Sequence, residues 1–165
     1  MKRAFLLVFL LSCALSLGAA DIRPFFSGTS IDGMPVASSI LARKKHTLLF
    51  VWATWCGYCR AEMPDLAEVA QRYPSVQVIG ICTDLADRKG AIDARKKKSV
   101  EQIMQKAGLR VLTIAPSATL ASSLLDSLSG IPAAFWVDAQ GQILSGPLYG
   151  QQRRDALEAQ FEAMQ

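Results

Sequence analysis

Thr47-Leu48-Leu49-Phe50-Val51-Trp52, followed at once by Ala53-Thr54-Trp55-Cys56-Gly57-Tyr58-Cys59, is the stretch that decides the fold. Six nearly continuous apolar residues suit a strand buried on both faces of a parallel sheet. From Cys56 the pattern changes. Met63, Leu66, Ala67 and Ala70 recur at three- and four-residue steps, which predicts a helix over residues 56–72 that Pro64 kinks or restarts. Residues 76–81 then read as a second buried strand. Strand, helix and strand in close succession make a βαβ unit, which prefers right-handed parallel topology.

Working outward, residues 25–30 and 35–37 predict two short strands about an Asp32-Gly33 turn, with a single helical turn from Ser38 to near Arg43. Downstream, residues 87–98 are polar and end in Arg95-Lys96-Lys97-Lys98, which reads as a solvated basic loop. Ser99-Val100-Glu101-Gln102 has capping-box spacing and predicts a helix over 100–107 that Gly108 ends. Residues 111–114 predict a strand, 119–128 a short helix, 133–137 and 142–145 a hairpin about the turn 138–141, and 152–164 a closing amphipathic helix. With no repeat and no linker, this is one α/β domain.

The first twenty residues stand apart. Lys2 and Arg3, the apolar run 4–17, and Gly18-Ala19-Ala20 have the layout of a secretory signal peptide cleaved after Ala20. The run is shorter than the roughly 20 apolar residues of a spanning helix, which argues against an uncleaved anchor. Leu10-Leu11-Ser12-Cys13 only faintly resembles a lipoprotein box, with Cys13 the lipidated residue. Cleavage leaves residues 21–165 as the domain, with no integral membrane segment, and an exported, periplasmic or otherwise extracytoplasmic location. The net charge of +4 falls to +2 without Lys2 and Arg3, too little to indicate nucleic acid.

Of the four cysteines, loss of Cys13 leaves Cys56, Cys59 and Cys82, a close pair and one bystander rather than a disulfide framework. Cys56 falls where strand gives way to helix. Unpaired N–H groups and the helix dipole at a helix N-terminus favour a thiolate there, the species that attacks disulfides. Cys59 lies one turn on, on the same face and within reach of a disulfide, which makes Cys56 the exposed attacker and Cys59 the buried resolver. Half of a zinc site is the plainer alternative, but only Cys82 and the lone His46 remain as further ligands, without pair spacing. Cys82 reads as a small buried residue and His46 as a surface residue without a role.

The residues Trp52-Ala53-Thr54-Trp55-Cys56, then Cys59, Glu62, Pro64 and Leu66, with Gly130-Ile131-Pro132 and the closing segments Asp138-Ala139-Gln140-Gly141 and Gly146-Pro147-Leu148, resemble the thioredoxin superfamily, specifically its TlpA/ResA-like extracytoplasmic branch. The resemblance implies a thioredoxin-like fold, a central mixed β-sheet flanked by helices. It implies a cis Pro132 beside the cysteines and an Ile131 backbone that pairs with an extended substrate, next to Trp55, Gly57 and Tyr58. It also assigns an active-site carboxylate to Glu62, which with a raised pKa would exchange a proton with Cys59. Two departures matter. Phe50 stands where thioredoxins proper keep a buried Asp, so any proton relay depends on Glu62. Gly57-Tyr58 replaces the more usual proline before the second cysteine and resembles some periplasmic disulfide isomerases.

The expected activity is thiol–disulfide exchange, in the reductase direction, on protein or peptide disulfides. No bound organic cofactor and no metal are expected. A membrane thiol-reducing protein would recharge the pair, and apocytochrome c cysteines or oxidatively damaged exported proteins are candidate clients. The alternatives are an oxidase or isomerase, and a copper carrier using Cys56, Cys59 and Cys82 or Met63. A peroxidase is disfavoured because attack on peroxide needs a differently placed cysteine environment.

Overall fold

The computed structural model describes residues 20–87 and 90–165. Residues 1–19 of the expected signal peptide, with Cys13, lie outside them, as do Arg88 and Lys89 of the basic stretch. One seven-stranded mixed sheet has the order β2-β1-β5-β4-β3-β6-β7. Its strands are β1 (Ser27–Ser30), β2 (Pro35–Ala37), β3 (His46–Trp52), β4 (Gln77–Cys82), β5 (Leu112–Pro116), β6 (Ala133–Asp138) and β7 (Ile143–Tyr149). Strands β3, β4 and β5 are parallel, and the other pairings are antiparallel. The helices are α1 (Gly57–Arg72), α2 (Ala94–Ala107), α3 (Ala118–Leu120) and α4 (Arg154–Ala163).

The period of two along β3 explains why both faces of the sheet are covered. Leu48, Phe50 and Trp52 pack on one face against α1, α2 and α4 through residues such as Met63, Leu66, Val100 and Phe161. Leu49 and Val51 face the other way, onto Ile22, Phe26, Leu41, Leu120 and Leu124. Trp136 of β6 meets Phe161 of α4 edge-on at 5.2 Å, and its indole N–H donates to Gln160 Oε1 at 3.0 Å. Gly80 of β4 permits this packing: a Cβ there would lie 2.9 Å from Thr113 Oγ1 and 3.2 Å from Trp52 Nε1.

Several boundaries differ from the sequence reading. Helix α1 runs unbroken through Pro64 instead of restarting there. Helix α2 begins at Ala94, not Val100: the Asp93 carboxylate accepts from Arg95 N at 2.8 Å and Lys96 N at 3.0 Å, a cap placed before the one expected at Ser99. The basic residues are therefore largely helical, not a free loop, and Lys97 pairs with Asp32 and Glu101. The expected helix over 119–128 is only the short α3 and a wider turn over Ala121–Leu125. Strand β7 continues to Tyr149 past Pro147, which an edge strand tolerates because one side needs no ladder donor. His46 is half-buried at the start of β3, its Nδ1 2.6 Å from the Met164 carbonyl oxygen.

Candidate active site

Strand register assembles the site. Trp52 aligns with Cys82 in the parallel β3–β4 pair, so the segments after both strands leave the sheet side by side. Val51 aligns with Ala133 in the antiparallel β3–β6 pair, which brings the chain entering β6, with Ile131 and Pro132, to the same edge. The Ile131–Pro132 bond is cis, as the resemblance implied; Gly146–Pro147 is cis as well.

Cys56 caps α1. Its N–H donates to Ala53 O at 3.1 Å, and its sulfur accepts the Cys59 N–H at 3.1 Å. The two sulfurs form a disulfide with a Cα–Cα distance of 5.3 Å. A helix's first N–H groups have no partner within the helix, and here one of them points at the sulfur that would carry negative charge after reduction. Cys59 is fully buried, as expected, but Cys56 is only 4% exposed, so the exposed attacker read from the sequence is itself buried in this disulfide form. Its sulfur is bonded inward to Cys59. The exposed features are its neighbours Trp55 (68%) and Tyr58 (72%).

Trp55, the residue before Cys56, lines an apolar cleft of about 250 Å³ with Val51, Thr83, Leu125 and Ile131. Gly57 lines a separate groove between α1 and α2, together with Arg60 and Lys106. Trp55 and Ile131 thus share one surface, and Gly57 belongs to another.

Glu62 is 2% exposed, and its Oε2 accepts the Gln152 N–H at 3.0 Å. Burial pushes its carboxyl from 4.5 to about 7; the Gln152 N–H opposes that shift, and the nearby Asp65 charge adds to it. Phe50 is buried among the apolar residues below α1, so that position carries no charge.

Cys82 is fully buried, and its thiol donates to Asp84 Oδ1 at 3.3 Å. Burial first, and the Asp84 charge second, push its pKa far up, so it is a poor nucleophile. Among the described residues, no three His, Cys, Asp or Glu side chains are grouped so as to hold a metal. Met63 is buried in the core.

The sequence reading missed Asp84. Its carboxylate accepts the Thr54 N–H at 2.9 Å and the Thr54 hydroxyl at 2.5 Å, and Lys96 donates to it at 2.5 Å. Burial alone would raise the Asp84 pKa, but the hydrogen bonds from Lys96 and Thr54 outweigh it and hold the carboxyl at about 2. A polar pair, Thr83-Asp84, directly after a buried strand at the edge that carries the cysteines was the only sequence signal available.

A mixed sheet with a Cys-X-X-Cys disulfide capping the helix after a central strand, beside a cis proline, defines the class of thioredoxin-like thiol–disulfide oxidoreductases. The AhpC/TSA family model matches residues 20–145, and the chain belongs to that family. The chain is 42% identical over 65 residues to the soluble secreted antigen MPT53 of Mycobacterium tuberculosis, a match covering 39% of this chain and only 37% of the antigen. It is 39% identical over 82 residues to a thioredoxin of Pyropia yezoensis, covering 47% of this chain and 75% of that protein. The crystal structure of a secreted Mycobacterium tuberculosis disulfide oxidoreductase homologous to E. coli DsbE superposes with a TM-score of 0.65 at 26% identity, covering 87% of this chain and 99% of the other. Among the described residues, no helix is long and apolar enough to cross a membrane.

Proposed function

We propose that the protein is an exported thiol–disulfide oxidoreductase that reduces protein disulfides outside the cytoplasm. The observation that carries this reading is the Cys56–Cys59 disulfide at the start of α1, with the Cys56 sulfur accepting the Cys59 N–H. In the reduced protein the Cys56 thiolate attacks one sulfur of a partner disulfide. The partner S–S bond breaks, one partner thiolate leaves, and a Cys56–partner mixed disulfide remains. Cys59 then gives its proton to the Glu62 carboxylate and attacks the Cys56 sulfur. The second partner thiol is released, and Cys56–Cys59 is left oxidised. Two electrons have passed to the partner with no bound organic cofactor. A carboxyl titrating near 7 suits that proton transfer, since both its forms are populated at neutral pH.

Trp55, Tyr58 and the Ile131–Pro132 segment would hold the partner chain across the apolar cleft, with Ile131 supplying backbone hydrogen bonds. The export layout of residues 1–20 and the secreted mycobacterial relatives support an extracytoplasmic, periplasmic location. There a membrane thiol-reducing protein would return the pair to its dithiol form. Apocytochrome c cysteines and oxidatively damaged exported proteins are the proposed clients.

Equilibration with glutathione tests the direction. A strongly negative potential, together with reduction of a model protein disulfide that is lost in Cys56→Ser, is expected. An oxidising potential would instead identify an oxidase or isomerase, the reading that Gly57-Tyr58 favours.

A further inference from the structure

We propose that Thr54, Asp84 and Lys96 are positioning residues that hold Cys56 in its helix-capping pose when the disulfide is open, and thereby set the redox balance of the pair. This rests on the reading of Cys56 as the attacking sulfur.

Only residues 53–55 join the end of β3 to Cys56, and two contacts fix that link. One is the Cys56 N–H bond to Ala53 O. The other is the Asp84 carboxylate, which takes both the N–H and the O–H of Thr54. Asp84 follows β4 and is itself held by Lys96 in the first turn of α2, whose Nζ also donates to Thr54 Oγ1 at 3.1 Å. Three separate elements therefore meet at one residue, two places before the nucleophile. Asp84 is 18% exposed, so this charged pair lies partly out of water, where its hydrogen bonds are less easily replaced by solvent.

The clamp matters unequally in the two redox states. In the oxidised state the S–S bond already fixes Cys56 to α1. In the reduced state that bond is gone, and the Cys56 sulfur keeps its alignment with the Cys59 N–H only if the preceding link stays in place. Loosening the link costs the thiolate its stabilisation while the disulfide loses little. The equilibrium then moves toward disulfide, and Cys56 becomes less reactive. Lys96 also offsets the Asp84 charge; without it an unbalanced anion beside the link disfavours the thiolate further.

The test compares wild type with Thr54→Val, Thr54→Ser, Lys96→Met and Asp84→Ala. Two quantities are read: the dithiol–disulfide equilibrium against glutathione, and the rate of iodoacetamide addition at pH 7, mapped by peptide mass to residue 56. Thr54→Val is expected to shift the equilibrium toward disulfide about fivefold, the worth of one hydrogen bond, and to slow alkylation by a similar factor. Thr54→Ser keeps the hydroxyl and should match wild type. Lys96→Met should move both readouts in the same direction as Thr54→Val. Asp84→Ala frees Thr54 but leaves the Lys96 cation unbalanced, which favours the thiolate and opposes that shift, so the Val and Ser pair at residue 54, which changes no charge, decides. Lower thermal midpoints with both readouts at wild-type values would reduce the network to a structural role and overturn the proposal. If wild-type Cys56 itself reacts no faster than a free cysteine, the reading of Cys56 as attacker fails instead.

Discussion

Glu62→Gln should stabilise the folded protein at alkaline pH and leave it unchanged in acid. In the folded chain the Glu62 carboxyl titrates at about 7 instead of 4.5, chiefly because it is buried. Below pH 4.5 the group is protonated whether the chain is folded or unfolded, so it does not affect stability. Between 4.5 and 7 the unfolded chain releases this proton while the folded one keeps it, so stability falls as pH rises. Above 7 both states are ionised and the penalty is constant. The gap between the two titration points corresponds to about 3 kcal/mol. Glutamine carries no charge, and its carbonyl can still accept the Gln152 N–H, so the variant escapes the penalty without orphaning that donor. Urea unfolding of the oxidised proteins at pH 4, 6 and 8 measures the difference, in which the other titrating groups largely cancel. The expected gain is near zero at pH 4, intermediate at pH 6 and about 3 kcal/mol at pH 8. A difference that does not vary with pH would refute the assignment of a near-neutral buried carboxyl.

Other outcomes follow from single contacts. Gly146→Ala places a Cβ 2.6 Å from the Ala134 carbonyl oxygen at a residue with φ 115°, so it should cost about 2–4 kcal/mol in urea unfolding. Asp93→Ala removes the acceptor for two N–H groups of α2 and should lower the unfolding midpoint; the same loss should appear in wild type on acidification, because that carboxyl is held below its ordinary pKa by those N–H bonds. Trp55→Ala strips one wall of the apolar cleft and should raise KM for a protein disulfide about tenfold, while leaving turnover of a small aromatic disulfide near wild type.

What the sequence disclosed followed from periodicity. The unbroken apolar run of β3, the three- and four-residue steps of α1 and the short run of β4 each had one reading, and together they placed Cys56 at a helix start. Helix α2 starts before the residues that announce it, because only Val100 among its residues is buried and residues 94–99 carry no apolar stripe to mark the Asp93 cap. Strand β7 runs beyond the expected 142–145 because it lies at the sheet edge, where Pro147 leaves no ladder bond unmade. Glu62 was legible as a site residue only by resemblance. Its partner Gln152 is 90 positions away, and the Thr54–Asp84 contact spans 30, so neither could be inferred before strand order brought them together.

The most direct test of the whole account is to react reduced Cys59→Ser and Cys56→Ser each with an aromatic disulfide at neutral pH and map the adduct. Rapid, stable capture on residue 56 in the first variant and slow capture in the second is the expected result. Faster capture by residue 59 would contradict the assignment of the attacking sulfur, and with it the role given to the start of α1.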